Sequence, residues 1–430
     1  MIDEKIDVRF AEIENLLYTK HSQIKKSGFG NIVEVLEKLE NPHKRIGEVI
    51  HITGTNGKGS VAYITESILR NLGYRTALYV SPHINSLTER IQLNGKNITK
   101  VEFIKIFEDV YAISRDLSFF EIMTLIAFRY FADKVDYAVI EVGIGGIYDT
   151  TNVIENSRLC FITSIDLDHT EMLGKEKIEI ARQKSGIIKK NSVCVVGDID
   201  DDSKKAIQEK CSIENAKMVV SRDRFKIIDF DIKNRLMTIE SDEDGIKCDI
   251  NIMGIKQTAN LSMVLDGLKE IGVKVDKAVL KTAVSNISIN CRFDIIEKYI
   301  NGVKKRFILD GAHNPQAISI FIENVLFFKI TDPVLIFSIL STKDYESVIK
   351  KIIDAGIFKN IFISDIDNYK RINPVFIANK ISSLDPSIDV SVNSDIEMAL
   401  KAALDVSDNI CVCGSFYLAS DAIKIIKEKL

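Results

Sequence analysis

His51–Ser60 reads HITGTNGKGS: a β-run that ends at Thr53, a glycine-rich turn, and a helix that starts near Gly59. A strand, a tight turn and a helix in so short a span open a parallel α/β unit. Gly54, Gly57 and Gly59, with Thr55 and Asn56 between them, let the backbone curl until several N–H groups face one anion. Lys58 adds a charge for the β- and γ-phosphates of a nucleotide. Ser60 stands at the helix start, where its hydroxyl can reach Mg²⁺ and the helix N-terminus adds positive potential. The spacing departs from the usual GxxxxGK[ST], because Gly59 separates Lys58 from Ser60.

Outward from this loop, short β-rich runs alternate with longer stretches of helical period. That alternation predicts an α/β fold with largely parallel sheets. Strands are expected at Val49–Thr53, Thr76–Val80, Tyr137–Val142, Leu159–Ser164 and Val193–Val196. Helices are expected at Gly59–Leu72, Lys100–Arg115 and Glu121–Asp133. Residues 221–252 alternate in character between polar turns and predict a small antiparallel patch on the rim of the first domain. A second α/β series begins near Arg306 (FILD, VLIFSI, NIFIS, VSV, ICVCG). The chain is therefore expected to form two domains, 1–290 around the phosphate loop and 291–430 as a smaller Rossmann-like α/β domain.

Polar residues stand where these strands should end. Ser81 and His83 follow TALYV, Glu141 closes YAVIE, and Asp166, Asp168 and His169 follow CFITS. In open α/β sheets ligands collect at the carboxyl ends of strands. Mg²⁺ favours hard oxygen ligands, so Glu141 is the foremost metal ligand, with Ser60 and Ser81 beside it. His169 is a candidate for a second metal or its outer shell. His21, His43 and His51 are expected to be structural. In the second half Asp310 and His313 sit between a strand and a helix that starts at Pro315, a favoured first helical position. Gly414–Ala419, GSFYLA, offers N–H groups at another helix start.

Composition narrows the classes of function. A hydrophobic share of 46% with 27% charged residues is that of a folded globular chain. A formal net charge of -4 gives no pull towards nucleic acid or an anionic membrane. No stretch nears the ~20 apolar residues of a membrane span, and the acidic start MIDEKIDVRF lacks the pattern of a secretory signal. Seven cysteines without a CxxC pair argue against a disulfide framework or a zinc site and point to a reducing cytoplasm.

Taken in order, HITGTNGKGS, SPHINSLTERI, FFEIMTLIAF, EVGIGGIYDTTNV, TSIDLDHTEMLG, ARQKSGIIK, GIKQTANLSMVL, CRFD, ILDGAHNP and CGSFYLA resemble the folylpolyglutamate synthase/dihydrofolate synthase family of the Mur ligase superfamily. The resemblance implies ATP-dependent ligation of L-glutamate to a folate carboxylate through an acyl phosphate, with Mg²⁺ and by a monomer. It assigns Gly54–Ser60, Asn260, Arg292 and Asp310 to ATP, and Ser60, Ser81, Glu141 and His169 to metal. Lys58, His169, Lys184 and His313 become catalytic, and His313 and Ser415 contact substrate. It further implies a carbamylated Lys184. Four positions depart from the family's pattern: Ile147 for arginine, Gln183 for glutamate, Lys256 for histidine and Cys291 for glycine. They keep open a ligase for another carboxylate or amino acid, or a nucleotide-binding relative without turnover.

Overall fold

A computed structural model describes residues 2–20, 30–113, 115–243 and 245–430. Within them the chain forms two compact units. One comprises Met1–Ile165, Leu173–Asp223 and Ala259–Val284; the other comprises Asp166–Met172, Arg224–Thr258 and Ser285–Leu430.

The first unit is built on an eight-stranded sheet. Its strands are β1 (Glu48–Thr53), β2 (Thr76–Tyr79), β3 (Ile91–Leu93), β4 (Lys96–Asn97), β5 (Tyr137–Glu141), β6 (Leu159–Ile162), β7 (Val193–Val196) and β8 (Lys217–Val220). They lie in the order β4-β3-β2-β5-β1-β6-β7-β8. From β2 to β8 the neighbours run parallel, and β3 and β4 close one edge antiparallel. β2, β5 and β6 are buried throughout, as expected of parallel strands covered on both faces. The helix Lys58–Asn71 turns its apolar side (Val61, Ile64, Ile68, Leu69) inward and stops before Gly73, whose φ of 92° suits a residue without Cβ. The helix Phe119–Phe131 starts on a capping box of Ser118 with Glu121, a pattern visible in the sequence as SFFE.

The sheet order decides where the site lies. The chain leaves β1 towards β2 on one side and leaves the adjacent β6 towards β7 on the other, so the connections of these two neighbours part in opposite directions. A crevice at such a reversal is where open α/β sheets bind ligands. The loop after β1, Glu141 at the end of β5 and Thr163–Ser164 after β6 stand there side by side.

The second unit holds a six-stranded sheet of β12 (Asp294–Ile300), β13 (Val303–Leu309), β14 (Val334–Phe337), β15 (Asn360–Ser364), β16 (Asp389–Asn393) and β17 (Asn409–Cys413), in the order β12-β13-β17-β14-β15-β16. Only the β12–β13 hairpin is antiparallel. The same unit takes in a three-stranded antiparallel sheet of β9 (Lys226–Asp231), β10 (Leu236–Ser241) and β11 (Ile246–Ile250). Its antiparallel character matches the expectation, but its place does not, and side-chain packing explains why. Phe230 meets Phe328 edge-on at 5.1 Å, and Arg235 pairs at 2.9 Å with Asp294, whose side chain is buried. Among the described residues no helix is long and apolar enough to cross a membrane.

Candidate functional site

In the first unit the loop after β1 is held by the end of β6. Thr55 N–H donates to Ser164 O (2.9 Å), Asn56 N–H to Ser164 Oγ (2.9 Å), and Thr163 Oγ1 to Asn56 O (2.6 Å). The contact at Gly54 is so close that a Cβ there would fall 1.8 Å from Thr163 Oγ1. Gly57, with φ of 86°, caps the following helix. A Cβ on it would come within 3.1 Å of Asn260 Oδ1, so Asn260 does lie against the loop. Lys58 folds back, its Nζ donating to Gly54 O (2.9 Å) and Thr55 O (3.2 Å). Ser60 is buried in the first turn, beside Gly59.

Glu141 is only 1% exposed. Its Oε2 accepts the backbone N–H of Ser81 at 2.9 Å, which joins the ends of β5 and β2. A buried carboxylate and a buried hydroxyl are both hard oxygens. Ser60 ends the anion cradle and Glu141 stands opposite Ile52 in the register of β1 and β5, so the two fit Mg²⁺, which takes few protein ligands and completes its shell with phosphate oxygens and water. Among the described residues no group of three or more His, Cys, Asp or Glu side chains could hold a metal.

Lys184 is buried at the end of the helix Lys177–Ser185. The loop after β5 lies directly on that helix end: Ile147 N–H donates to Gln183 O at 2.9 Å, and a Cβ on Gly146 would sit 2.5 Å from the same oxygen. Ile147 and Gln183, two of the departures noted above, are thus neighbours. Asp149 pins this loop. Its carboxylate accepts Ile144 N–H (3.0 Å), Thr151 N–H (3.0 Å) and Thr151 Oγ1–H (2.5 Å). Burial pushes the carboxyl up, and these bonds oppose the shift. His51 completes the chain of contacts through Nε2 to Thr151 Oγ1 at 2.9 Å. Since that hydroxyl donates to Asp149, Nε2 carries the proton. Burial, then Lys189, lowers the His51 pKa to about 3. Its role is structural, as expected. His43 is buried too; His21 lies outside the described residues.

Near the end of β2, His83 accepts from Arg90 Nε through Nδ1 (2.8 Å) and meets Tyr18 Oη through Nε2 (2.9 Å). Tyr18 stacks on Phe119, with ring centroids 6.1 Å apart, and the Arg90 guanidinium lies 5.1 Å from the same ring.

The second unit gathers a separate polar cluster. Asp168 accepts Lys343 Nζ (2.8 Å) on Oδ1 and Asn314 Nδ2 (3.3 Å) on Oδ2. Lys343 Nζ also meets His169 Nε2 at 3.2 Å. Burial alone would push the Asp168 carboxyl up, but Lys343 and the two histidines hold it well below the usual carboxylate range. The Nε2 lone pair of His169, one of the expected metal ligands, thus faces the Lys343 ammonium. Glu141 and Ser60, by contrast, bring buried hard oxygens of the kind Mg²⁺ takes. His313 has its Nδ1 2.7 Å from Gly311 O, which places the proton there and leaves Nε2 with a lone pair, 3.9 Å from Asp168 Oδ2. Burial, then Lys343, lowers the His313 pKa to about 3.

Asp310 follows β13 and accepts the N–H groups of Phe293 and Ala312, each at 2.8 Å. Burial raises its pKa to about 6 against the pull of Arg292. Ser415 caps the helix Phe416–Glu428, its Oγ accepting Tyr417 N–H at 3.1 Å.

Three residues at these sites carry no sequence signal of their own weight. Thr163 and Ser164 could have been suspected as hydroxyls at the end of an apolar strand. Lys343, in the turn STKDY after β14, could not.

The Mur ligase middle domain model matches residues 52–266, half of the chain. The dihydrofolate synthase/folylpolyglutamate synthase of Buchnera aphidicola subsp. Baizongia pistaciae is 28% identical over 448 residues, covering 100% of this chain and 99% of the relative. Folylpolyglutamate synthase from Thermotoga maritima is 30% identical, with a TM-score of 0.82 over 99% of this chain and 98% of that one. The fold is also that of Mycobacterium tuberculosis folylpolyglutamate synthase complexed with ADP and AMPPCP, 22% identical, with a TM-score of 0.86 over 99% of both chains. Matched by that family model over half its length, and by a 30% identical relative over almost all of it, the chain belongs to the folylpolyglutamate synthase family of Mur ligases.

Proposed function

We propose that this chain is an ATP-dependent ligase that joins L-glutamate to the carboxylate of a folate-type acceptor through an acyl phosphate. The observation that carries the reading is the anion cradle of Gly54–Ser60 beside the buried carboxylate of Glu141, at the reversal of the sheet. A carboxylate is a poor acyl donor to an amine at neutral pH, so ATP must activate it. The acceptor carboxylate attacks the γ-phosphorus and ADP leaves; the glutamate amine then attacks the acyl carbon and phosphate departs.

The side chains divide this work. Lys58 leaves the carbonyls of Gly54 and Thr55 to neutralise the β- and γ-phosphates, and the loop N–H groups orient them. Bound Mg²⁺, held by Glu141, Ser60 and Ser81, would supply further charge neutralisation at the transferring phosphoryl group. Asn260, Arg292 and Asp310 serve the nucleotide. Neutral His313 is a weak base, so its Nε2 lone pair orients the glutamate amine by accepting a hydrogen bond. Burial, with Lys343, keeps that imidazole neutral, and Lys343 also steadies Asp168. Lys184, buried against the loop of Ile147, is the amine suited to carbamylation. Seven buried free thiols suit a reducing cytoplasm, and a monomer carries every residue named.

The test is ADP and product formation from MgATP and L-glutamate, with dihydropteroate and tetrahydrofolate offered separately. Turnover with either acceptor is expected, and Lys58→Ala should lower the rate roughly 10²–10³-fold. ATP binding without turnover on both acceptors would sink the folate reading and turn attention to Ile147 and Gln183.

A further inference from the structure

The Ser415 hydroxyl accepts the helix-capping bond, and the next residue, Phe416, is placed differently. The loops after β13 and β17 are tied together by Asp310 N–H to Val412 O (3.0 Å) and Gly414 N–H to Ala312 O (2.8 Å). This brings the half-buried Phe416 ring onto the backbone of Gly311. A Cβ on Gly311 would lie 2.1 Å from Phe416 Cε1 and 2.4 Å from two more ring atoms. The Arg292 guanidinium carbon stands 4.7 Å from the ring centroid. The His313 ring meets the same ring edge-on, 5.7 Å between centroids at 61°. Leucine could fill this volume, but it has neither the flat face that tolerates such an approach to Gly311 nor the quadrupole that attracts a guanidinium.

We infer that Phe416 is a positioning residue of the ligase: one ring sets the directions of Arg292 and His313 together, and so couples the nucleotide to glutamate. This rests on the roles given to Arg292 and His313 above. The ring acts through both groups and touches no reacting atom. Gly311 belongs to the device, because any larger residue would lift the ring away from it.

The test compares Phe416→Leu, Phe416→Tyr and Gly311→Ala with the parent, measuring kcat and KM for MgATP, L-glutamate and the folate acceptor. Phe416→Leu should raise KM for both ATP and glutamate, by roughly 3- to 30-fold each if one cation–π contact and its edge-on partner are lost. KM for the acceptor should stay put, and Phe416→Tyr should keep parent values. Gly311→Ala, which displaces the ring without changing it, should give the same double KM effect, and it carries the test if Phe416→Leu does not fold. Unchanged KM values in both, or a lower Tm with intact kinetics, would reduce Phe416 to packing and overturn the inference. Arg292→Leu and His313→Ala separate the two levels. If neither raises KM for its own substrate, the roles of Arg292 and His313 fail, whatever Phe416 does. If both do and Phe416→Leu does not, only the shared ring fails.

Discussion

Burial of His51 without charge has a consequence for acid stability. Its folded pKa of about 3 lies below the ordinary 6.5, so between those values the unfolded chain binds a proton that the folded chain refuses. The stability it contributes is whole above pH 6.5 and is lost as pH falls towards 3, at no more than about 1.4 kcal/mol per pH unit. Denaturant unfolding at pH 7.5, 6 and 5 should show this loss. His51→Gln, which keeps a donor for Thr151 but does not titrate, should flatten it. Lys343 works in the opposite sense, as a charge that must stay. Its side chain and that of Asp168 are each about nine-tenths buried, so Lys343→Met leaves a carboxylate with Asn314 as its remaining side-chain donor. A loss of about 2–3 kcal/mol at pH 7 is expected, somewhat below the range for fully buried pairs, together with a fall in ligase rate. An unchanged midpoint in urea would show that the pair is not holding the cluster.

At the scale of elements, the loop after β1 depends on its fit to β6. Gly54→Ala would put a methyl group onto Thr163 Oγ1 at φ of 153°, where side chains are strained. ATP affinity should drop at least tenfold while circular dichroism stays that of the parent, and Thr163→Ala in the same chain should recover part of the loss. This loop was legible in the sequence because its chemistry is local: glycines for the turn, Lys58 for phosphate, Ser60 at a helix start. Strands β1, β2, β5, β6 and β7 were legible for a similar reason, since a parallel strand covered on both faces is a continuous apolar run. Glu141 stood out as an acid closing such a run. Partnerships across the chain were not legible. Lys343 finds Asp168 over a separation of 175 residues, and no local pattern marks a lysine in a turn as the partner of a buried acid. The adjacency of Ile147 and Gln183 was hidden likewise, because it arises from a loop lying on a helix end and not from spacing.

For the whole molecule, the compact units do not follow the order of the chain. The six-stranded sheet shares its unit with residues 224–258, through Phe230 on Phe328 and Arg235 on Asp294. A fragment starting at 291 would therefore expose Phe328 and leave Asp294 buried without its cation. It is expected to aggregate or to melt well below the full chain, whereas addition of 224–258 should improve its solubility and Tm. Equal melting of both fragments would mean that the three-stranded sheet adds nothing. The first unit is likewise assembled from three stretches, the last of them Ala259–Val284. Asn260, which lies against Gly57, and Ala283, whose carbonyl accepts Ser67 Oγ–H at 2.9 Å, both come from that stretch. On the ribosome, then, the phosphate loop emerges early but is finished late. Asn260 is translated 200 residues after Ser60, so the phosphate loop of a nascent chain waits through a long stretch of synthesis, unable to hold ATP as the mature enzyme does.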